Sequence, residues 1–301
     1  MRVAFYAPMK PPDHAVPSGD RTVARLLIKA LEGAGSDVQL ASRWRSYRRL
    51  PDAWDGASAE AARLISRWNG DGLAWRPDVW FTYHLYYKAP DLIGPAVARA
   101  LGIPYVVAEA SYAAKRNDGP WRENQVEVRA ALSDAAAVLT LNQRDVEGIA
   151  QVVGPDTQLV DLPPFLDLSE IDAALGGLLP MTTREGPAHD PVRLVTAAMM
   201  RSGAKLESYE RLARSLDALT DVAWTLDIIG DGDARPAVEK AFARFGDRVT
   251  MRGQLEREAL IRAFADADVF VWPGIGEAFG MVYLEAQAAG LPVAAIDVDG
   301  V

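Results

Sequence analysis

Two glutamates, Glu277 and Glu285, stand eight positions apart in GEAFGMVYLEAQAAGLPV, residues 276–293. Eight residues do not return to the same side of an α-helix, so the two carboxylates cannot share one face of one continuous helix. The apolar run DVFVWP reads as a strand, GIGEAFG as the loop after it, and MVYLEAQAAG as a helix that closes at Gly290. Glu277 is then expected on the loop at the strand's carboxyl end and Glu285 inside the helix. Backbone N–H groups of Phe279, Gly280 and Met281 fall at or near the helix N-terminus, a place that favours an anion. Gly280 lets a ligand approach the backbone closely. Glu277 can accept hydrogen bonds from sugar hydroxyls and Glu285 from a ribose diol, with a phosphate between them. The competing reading is a helix-start glutamate and an ordinary surface glutamate.

A second cluster follows the strand-like run VRLVTAAM. In MRSGAKLESYERL, Arg201 and Lys205 lie four apart around Gly203. A guanidinium binds phosphate through two parallel hydrogen bonds and a lysine adds a mobile point charge. Each such bond contributes about 1.5–3 kcal/mol. Near the amino terminus, PMKPPDHAVPSGDRTVARL places Gly19 and a helix start at Asp20–Arg21 after the first strand, where N–H groups can reach the other side of a diphosphate. The GxGxxG fingerprint is absent from that turn, which argues against a nicotinamide or flavin dehydrogenase. GDGD supplies Asp231 and Asp233, but reads as a Gly/Asp turn into a helix rather than a cation site. DVDG at 297–300 lacks the remaining ligands of a calcium loop. His14 and His189 are expected at the surface. No metal and no resident cofactor is expected.

These groups need elements to position them. Strand-like runs occupy 2–7, 37–41, 78–83, 103–109, 136–141 and 157–162, and then 192–199, 223–230, 247–253, 267–274 and 291–297. Helical patterns alternate with them. In RTVARLLIKALEGAG, Val23, Leu26, Leu27, Ala30 and Leu31 recur at helical spacing before Gly33 and Gly35; further helices are expected around 204–219, 234–245 and 256–266. Such alternation specifies crossover units and mostly parallel sheets covered by helices. GGLLPMTTREGPAHDP, 176–191, reads as a linker. Two doubly wound α/β domains are therefore predicted, 1–175 and 192–301. In such folds ligands bind beyond the carboxyl ends of the strands, so the cleft between the domains is the expected binding place.

The chain has 301 residues, half of them hydrophobic, a formal net charge of −9 and no cysteine. That balance excludes a general nucleic-acid binder, and the missing cysteine excludes disulfides, thiolate metal sites and a thiol nucleophile. The start, MRVAFYAPMK, reads as a strand rather than a secretory signal, and no run is long enough to span a membrane. A cytoplasmic protein is expected. SRWRSYRRLPDAW, 42–54, interleaves arginines with aromatics; it is read as a solvated connection packing on the domain, with peripheral contact to anionic headgroups as the alternative.

EAFGMVYLE resembles the E-x7-E motif of retaining glycosyltransferases of the GT-B class, specifically glycosyltransferase family 4. Arg201 and Lys205 after the first strand of the second domain, IIGDGD, RVTMRGQL and ADVFVWPGIGEAFGMVYLEAQAAGLPV extend the resemblance, which runs along essentially the whole chain. It implies two Rossmann-like domains facing a cleft, a nucleotide-diphosphate sugar as donor and transfer to a hydroxyl acceptor with retention. Glu277 would contact the donor sugar and Glu285 the nucleotide ribose, while Arg201 and Lys205 would stabilise charge on the leaving diphosphate in place of a metal. Many members carry a histidine after the fourth strand of the first domain, where this chain has Glu109; His84 lies one strand earlier, and both are candidates for the acceptor or sugar. The sequence closes after the fifth strand of the second domain, where members continue, so that domain is expected to be incomplete. A sugar-nucleotide epimerase of the same design and a non-catalytic sugar-nucleotide binding module are the competing readings.

Overall fold

A computed structural model of the chain describes residues 1–16, 18–70, 73–177, 190–277 and 280–297. Packing divides it into two units, Met1–Pro163 and Pro164–Val301. In the first, chain order is β1 (Arg2–Tyr6), α1 (Gly19–Gly33), β2 (Asp37–Ser42), α2 (Ala57–Trp68), β3 (Val79–Leu85), α3 (Gly94–Leu101), β4 (Tyr105–Ala110), α4 (Arg122–Ser133), β5 (Ala137–Thr140), α5 (Gln143–Ala150) and β6 (Gln158–Asp161). The second holds α6 (Leu168–Ala174), β7 (Val192–Ala197), α7 (Ala204–Asp217), β8 (Trp224–Ile229), α8 (Arg235–Phe242), β9 (Val249–Gly253), α9 (Arg257–Asp266), β10 (Val269–Val271), α10 (Met281–Ala288) and β11 (Val293–Ala294).

Both sheets are parallel, as the alternation of short apolar runs and helices requires. The first has the order β2-β1-β3-β4-β5-β6 and the second β11-β10-β7-β8-β9. Each order reverses direction once, between β1 and β3 in the first unit and between β7 and β10 in the second. At such a reversal the two flanking loops diverge to opposite faces and leave a crevice at the carboxyl ends of the strands.

The two reversals are pinned by the same device. Asp78 precedes β3 and accepts from the Arg2 N–H at 2.8 Å, while its own N–H donates to Arg2 O. Asp268 precedes β10 and treats Arg193 of β7 in the same way, again at 2.8 Å. These carboxylates fix the register of the strands that flank each crevice.

Each unit has its own core. Trp68, Trp80, Val107 and Leu132 pack behind the first sheet, and Tyr209, Trp224, Phe264 and Trp272 behind the second. The helix 1 pattern buries Val23, Ala24 and Leu27 and is capped by Ser18, whose side chain accepts from the Arg21 N–H. β10 is shorter than its apolar run suggests, because Pro273 has no N–H to continue the ladder; Trp272 still donates to Ala294 O.

The packing boundary falls earlier than the composition-based one. α6, left with the first domain by the sequence reading, packs through Ile171 and Ala174 onto Ile261 of α9. Most of the expected linker, residues 178–189 with His189, lies outside the described residues, as does Phe279. No described helix is long and apolar enough to cross a membrane.

Candidate functional site

The crevice of the second unit collects the residues singled out by spacing. After β7 the chain turns through Met200 and Arg201 into α7, with Gly203 as its N-cap at φ 83°, ψ −138°, a conformation reserved for glycine. After β10, Gly274 and Gly276 also adopt positive φ, and the Glu277 N–H closes a turn onto Gly274 O. A Cβ on Gly276 would stand 3.1 Å from Ala204 Cβ, so this loop rests on the start of α7. Ser208, fully buried, donates to Ala204 O and accepts from the Ile275 N–H at 3.0 Å, which ties the two loops together.

That tie brings Lys205 to Glu277. Their side chains form an ion pair at 2.5 Å, each mostly shielded from solvent, and the ammonium also sits 5.6 Å from the Trp272 ring centre. Arg201 is exposed and has no side-chain partner among the described residues. Gly280 caps α10 in the left-handed region at φ 52°, and neither α7 nor α10 receives a side-chain cap. In their first turns Leu206 and Tyr283 already donate to Arg201 O and Gly280 O, while the N–H groups of Ala204, Lys205, Met281 and Val282 have no partner among the described residues and can serve a ligand.

Glu285 lies in α10 and is 12% exposed, with Oε1 bonded to Arg257 Nη1 at 2.5 Å. Arg257 opens α9, and its Nε lies 3.3 Å from Glu170 of α6. Neither Arg257 nor Ser208 was marked by motif spacing; the available signal for Arg257 was a cation at a helix start, next to acidic residues, in GQLEREAL.

In the first unit the crevice between β1 and β3 holds a different set. His84 is the last residue but one of β3 and Glu109 the last but one of β4, and both have positive φ, 65° and 57°. Side chains other than glycine rarely adopt this conformation, and two adjacent cases mark a backbone held by its surroundings. His84 Nδ1 meets Asp20 Oδ1 of α1 at 2.9 Å and lies 3.9 Å from Glu109 Oε1. Glu109 Oε2 is buried without a hydrogen-bond partner among the described residues.

Burial acts to lower the His84 pKa, but Glu109 and Asp20 outweigh it and raise the imidazole above its ordinary value. Burial raises the Glu109 carboxyl. Asp20 is desolvated too, yet the His84 hydrogen bond and charge hold it below the usual range. Tyr83 and Tyr86 flank the imidazole.

Gly19 is the first residue of α1 and open on its outer side. The Asp20 carboxylate already occupies that helix start, so a diphosphate there would meet a negative charge. The 42–54 segment is a fixed connection: Arg43 pairs with Asp13, and Arg45, Arg48 and Trp54 donate to backbone carbonyls. His14 accepts from the Val16 N–H.

The GDGD turn is structural. Asp231 accepts from the Gly232 N–H and pairs with Arg235, and Gly230 and Gly232 press on the 198–200 turn. No three acidic or histidine side chains among the described residues group as metal ligands. A depression of about 600 Å³ opens at the opposite sheet edge of the first unit, lined by Arg99, Tyr105, Asp134 and Gln158, away from the carboxyl ends of the strands.

The sequence family described as Glycosyl transferases group 1 matches residues 192–301. The chain is 28% identical over 277 residues to 2-deoxystreptamine glucosyltransferase of Streptomyces kanamyceticus, spanning 87% of this chain and 69% of that protein. It is 27% identical over 270 residues to 2-deoxystreptamine N-acetyl-D-glucosaminyltransferase of Streptomyces fradiae, spanning 83% and 61%. The chain thus matches about three fifths to two thirds of these relatives' length.

Among solved structures, sucrose-phosphate synthase of Thermosynechococcus elongatus superposes with a TM-score of 0.63 at 17% identity, over 99% of this chain and 82% of that one. An E. coli protein described as trehalose-6-phosphate, bound with UDP-2-fluoro glucose, gives 0.60 at 13% identity, over 98% and 84%. The fold of both units is GT-B.

Proposed function

We propose, for a chain that belongs to the group 1 glycosyltransferases (glycosyltransferase family 4), that it moves a sugar from a nucleoside-diphosphate sugar to an acceptor hydroxyl with retention of configuration. The observation that carries this reading is the second-unit crevice, where Lys205 and Glu277 pair across the β7–β10 reversal and Arg201, on the same turn as Lys205, has no side-chain partner among the described residues. An arriving diphosphate competes with Glu277 for Lys205. It binds the two cations and the open N–H groups of α7 and α10, and it releases the Glu277 carboxylate to the sugar hydroxyls. Glu285 then accepts from the ribose diol. As the glycosidic bond to the diphosphate breaks, Arg201 and Lys205 stabilise the charge that builds on the leaving group, the part a divalent cation plays in other transferases.

The first unit holds the acceptor in this reading. Its crevice sets Asp20 and Glu109 against one imidazole, a net acidic lining suited to a polyol that carries amino groups. Both relatives reported above are named for an amine-bearing cyclitol, which supports the same acceptor class.

One assay tests both halves. Product formation from UDP-sugars is measured with 2-deoxystreptamine and with inositol, a cyclitol without amines, for the wild type, Arg201→Ala and Glu277→Ala. Each variant is expected to lose about 2–4 kcal/mol of transition-state stabilisation, roughly 30- to 1,000-fold in kcat/KM, with the fold retained. Unchanged turnover in both variants would sink the assignment of roles. Equal use of the two acceptors would remove the amine reading. Donor consumption without any acceptor would point to an epimerase, and binding without turnover to a binding module.

A further inference from the structure

The structure assigns a positioning role to Arg257: it holds Glu285 in the rotamer that accepts from the nucleotide ribose, and Glu170 holds Arg257 in turn. This inference rests on the reading of Glu285 as the ribose acceptor.

Three helices contribute one residue each, Glu170 from α6, Arg257 from α9 and Glu285 from α10. Arg257 Nη1 donates to Glu285 Oε1 at 2.5 Å, while its buried Nε lies 3.3 Å from Glu170 Oε2 without forming a hydrogen bond, so Glu170 acts on the guanidinium through charge. Exposure falls along this line, from 62% at Glu170 through 39% at Arg257 to 12% at Glu285. The guanidinium satisfies one oxygen of a carboxylate that is largely withdrawn from water, and hydrogen bonds that involve an ionised partner are the stronger ones.

The geometry leaves room for the ligand. Glu285 Oε2 has no hydrogen-bond partner among the described residues, and the side chain keeps 12% of its surface exposed. Arg257 thus spends one donor on Oε1 and fixes the side chain while Oε2 stays available for a diol. A flexible glutamate would have to lose rotamer freedom on binding; one already clamped has lost it on folding.

The relay also gives α6 a function. Ile171 and Ala174 seat that helix on Ile261 of α9, so the segment following β6 supports the outer end of the ribose-binding line.

The test is a calorimetric cycle on the full chain with UDP and 2′,3′-dideoxy-UDP, comparing the wild type with Arg257→Gln, Arg257→Lys, Glu170→Gln and Glu285→Gln. Arg257→Gln is expected to weaken UDP about tenfold, the scale of one charge-assisted hydrogen bond, and to leave dideoxy-UDP within about twofold. Arg257→Lys should recover part of the loss, and Glu170→Gln should show a smaller loss of the same kind. A loss of equal size on both ligands would overturn the inference, because it would mean a general structural role or direct contact with base or phosphate. No loss on UDP would overturn it as well. If Glu285→Gln binds UDP as the wild type does, or the wild type does not prefer UDP to its dideoxy form, the ribose reading of Glu285 itself falls.

Discussion

At the scale of single residues, the two crevices differ in how their charges are balanced. Lys205 and Glu277 neutralise each other, whereas Asp20, His84 and Glu109 leave an excess of negative charge around one imidazole. The His84 pKa is raised, so its stabilising contribution is fully present below the ordinary histidine value and is lost as pH rises through the folded one. Asp20 is shifted down, so its contribution is present above the ordinary aspartate value and is lost as pH falls through the folded one. Both are ionised, and the pair strongest, in the window between, at about pH 5–6. His84→Gln is therefore expected to cost roughly 1.5–3 kcal/mol there, the scale of a hydrogen bond to a charged group, and progressively less toward alkaline pH. Denaturant midpoints of the two proteins across that range check it; a difference that stays constant with pH would show that folding does not raise the His84 pKa. None of these partners could be paired from the sequence. His84 and Glu109 were legible as residues at strand ends, but Asp20 meets His84 across 64 positions, and only the strand order decides which loops share a crevice.

At the scale of elements, glycines decide how the loops lie. The alternation of apolar runs and helical periods made the central strands legible, because buried parallel strands are nearly continuously apolar and their crossovers amphipathic, whereas the exposed edge strand β6 was marked only by its place in the alternation. The GDGD turn was legible as a turn, but not what it supports. Gly232 sits at φ 152°, and a Cβ there would stand 2.2 Å from Met200 O, directly beneath the turn that presents Arg201. Gly246 also has positive φ, 56°, with nothing near its would-be Cβ. The pair separates backbone strain from displacement. Gly232→Ala and Gly246→Ala should each lose about 1–3 kcal/mol of stability through the unfavourable conformation. Gly232→Ala should in addition push the Met200–Arg201 turn away and weaken UDP about tenfold or more, the value of a charge-assisted contact. Titration of the two variants with UDP distinguishes them, and an equal effect on affinity would mean that the GDGD turn does not set the position of Arg201. Arg257 escaped the sequence reading for a related reason. Its partners come from two other helices, and one of those, α6, was grouped with the wrong side of the composition-based boundary because a short amphipathic helix carries no mark of which core it will join.

At the scale of the whole molecule, each of the two units has its own sheet and its own crevice, and the donor reading places the nucleotide on one of them. The cation set, the open helix starts and the Glu285 clamp all belong to Pro164–Val301. A ligand that binds only the folded form stabilises it by RT ln(1 + [L]/Kd), about 2.7 kcal/mol at a hundredfold excess over Kd. Amide exchange that requires unfolding of the second unit should then slow about a hundredfold in the presence of UDP at that excess. The slowest amides of β7 and β8, which lie in the centre of the second sheet, report that opening. Those of β1 and β3 report the first unit in the same sample. Exchange measured by mass spectrometry on the full chain should show strong protection in β7, β8 and the 199–206 turn, with little change in β1 and β3. Protection of equal size in both sheets would mean that the nucleotide engages the first unit as well, despite the carboxylate at the start of α1. Protection confined to the first unit would overturn the assignment of the donor site.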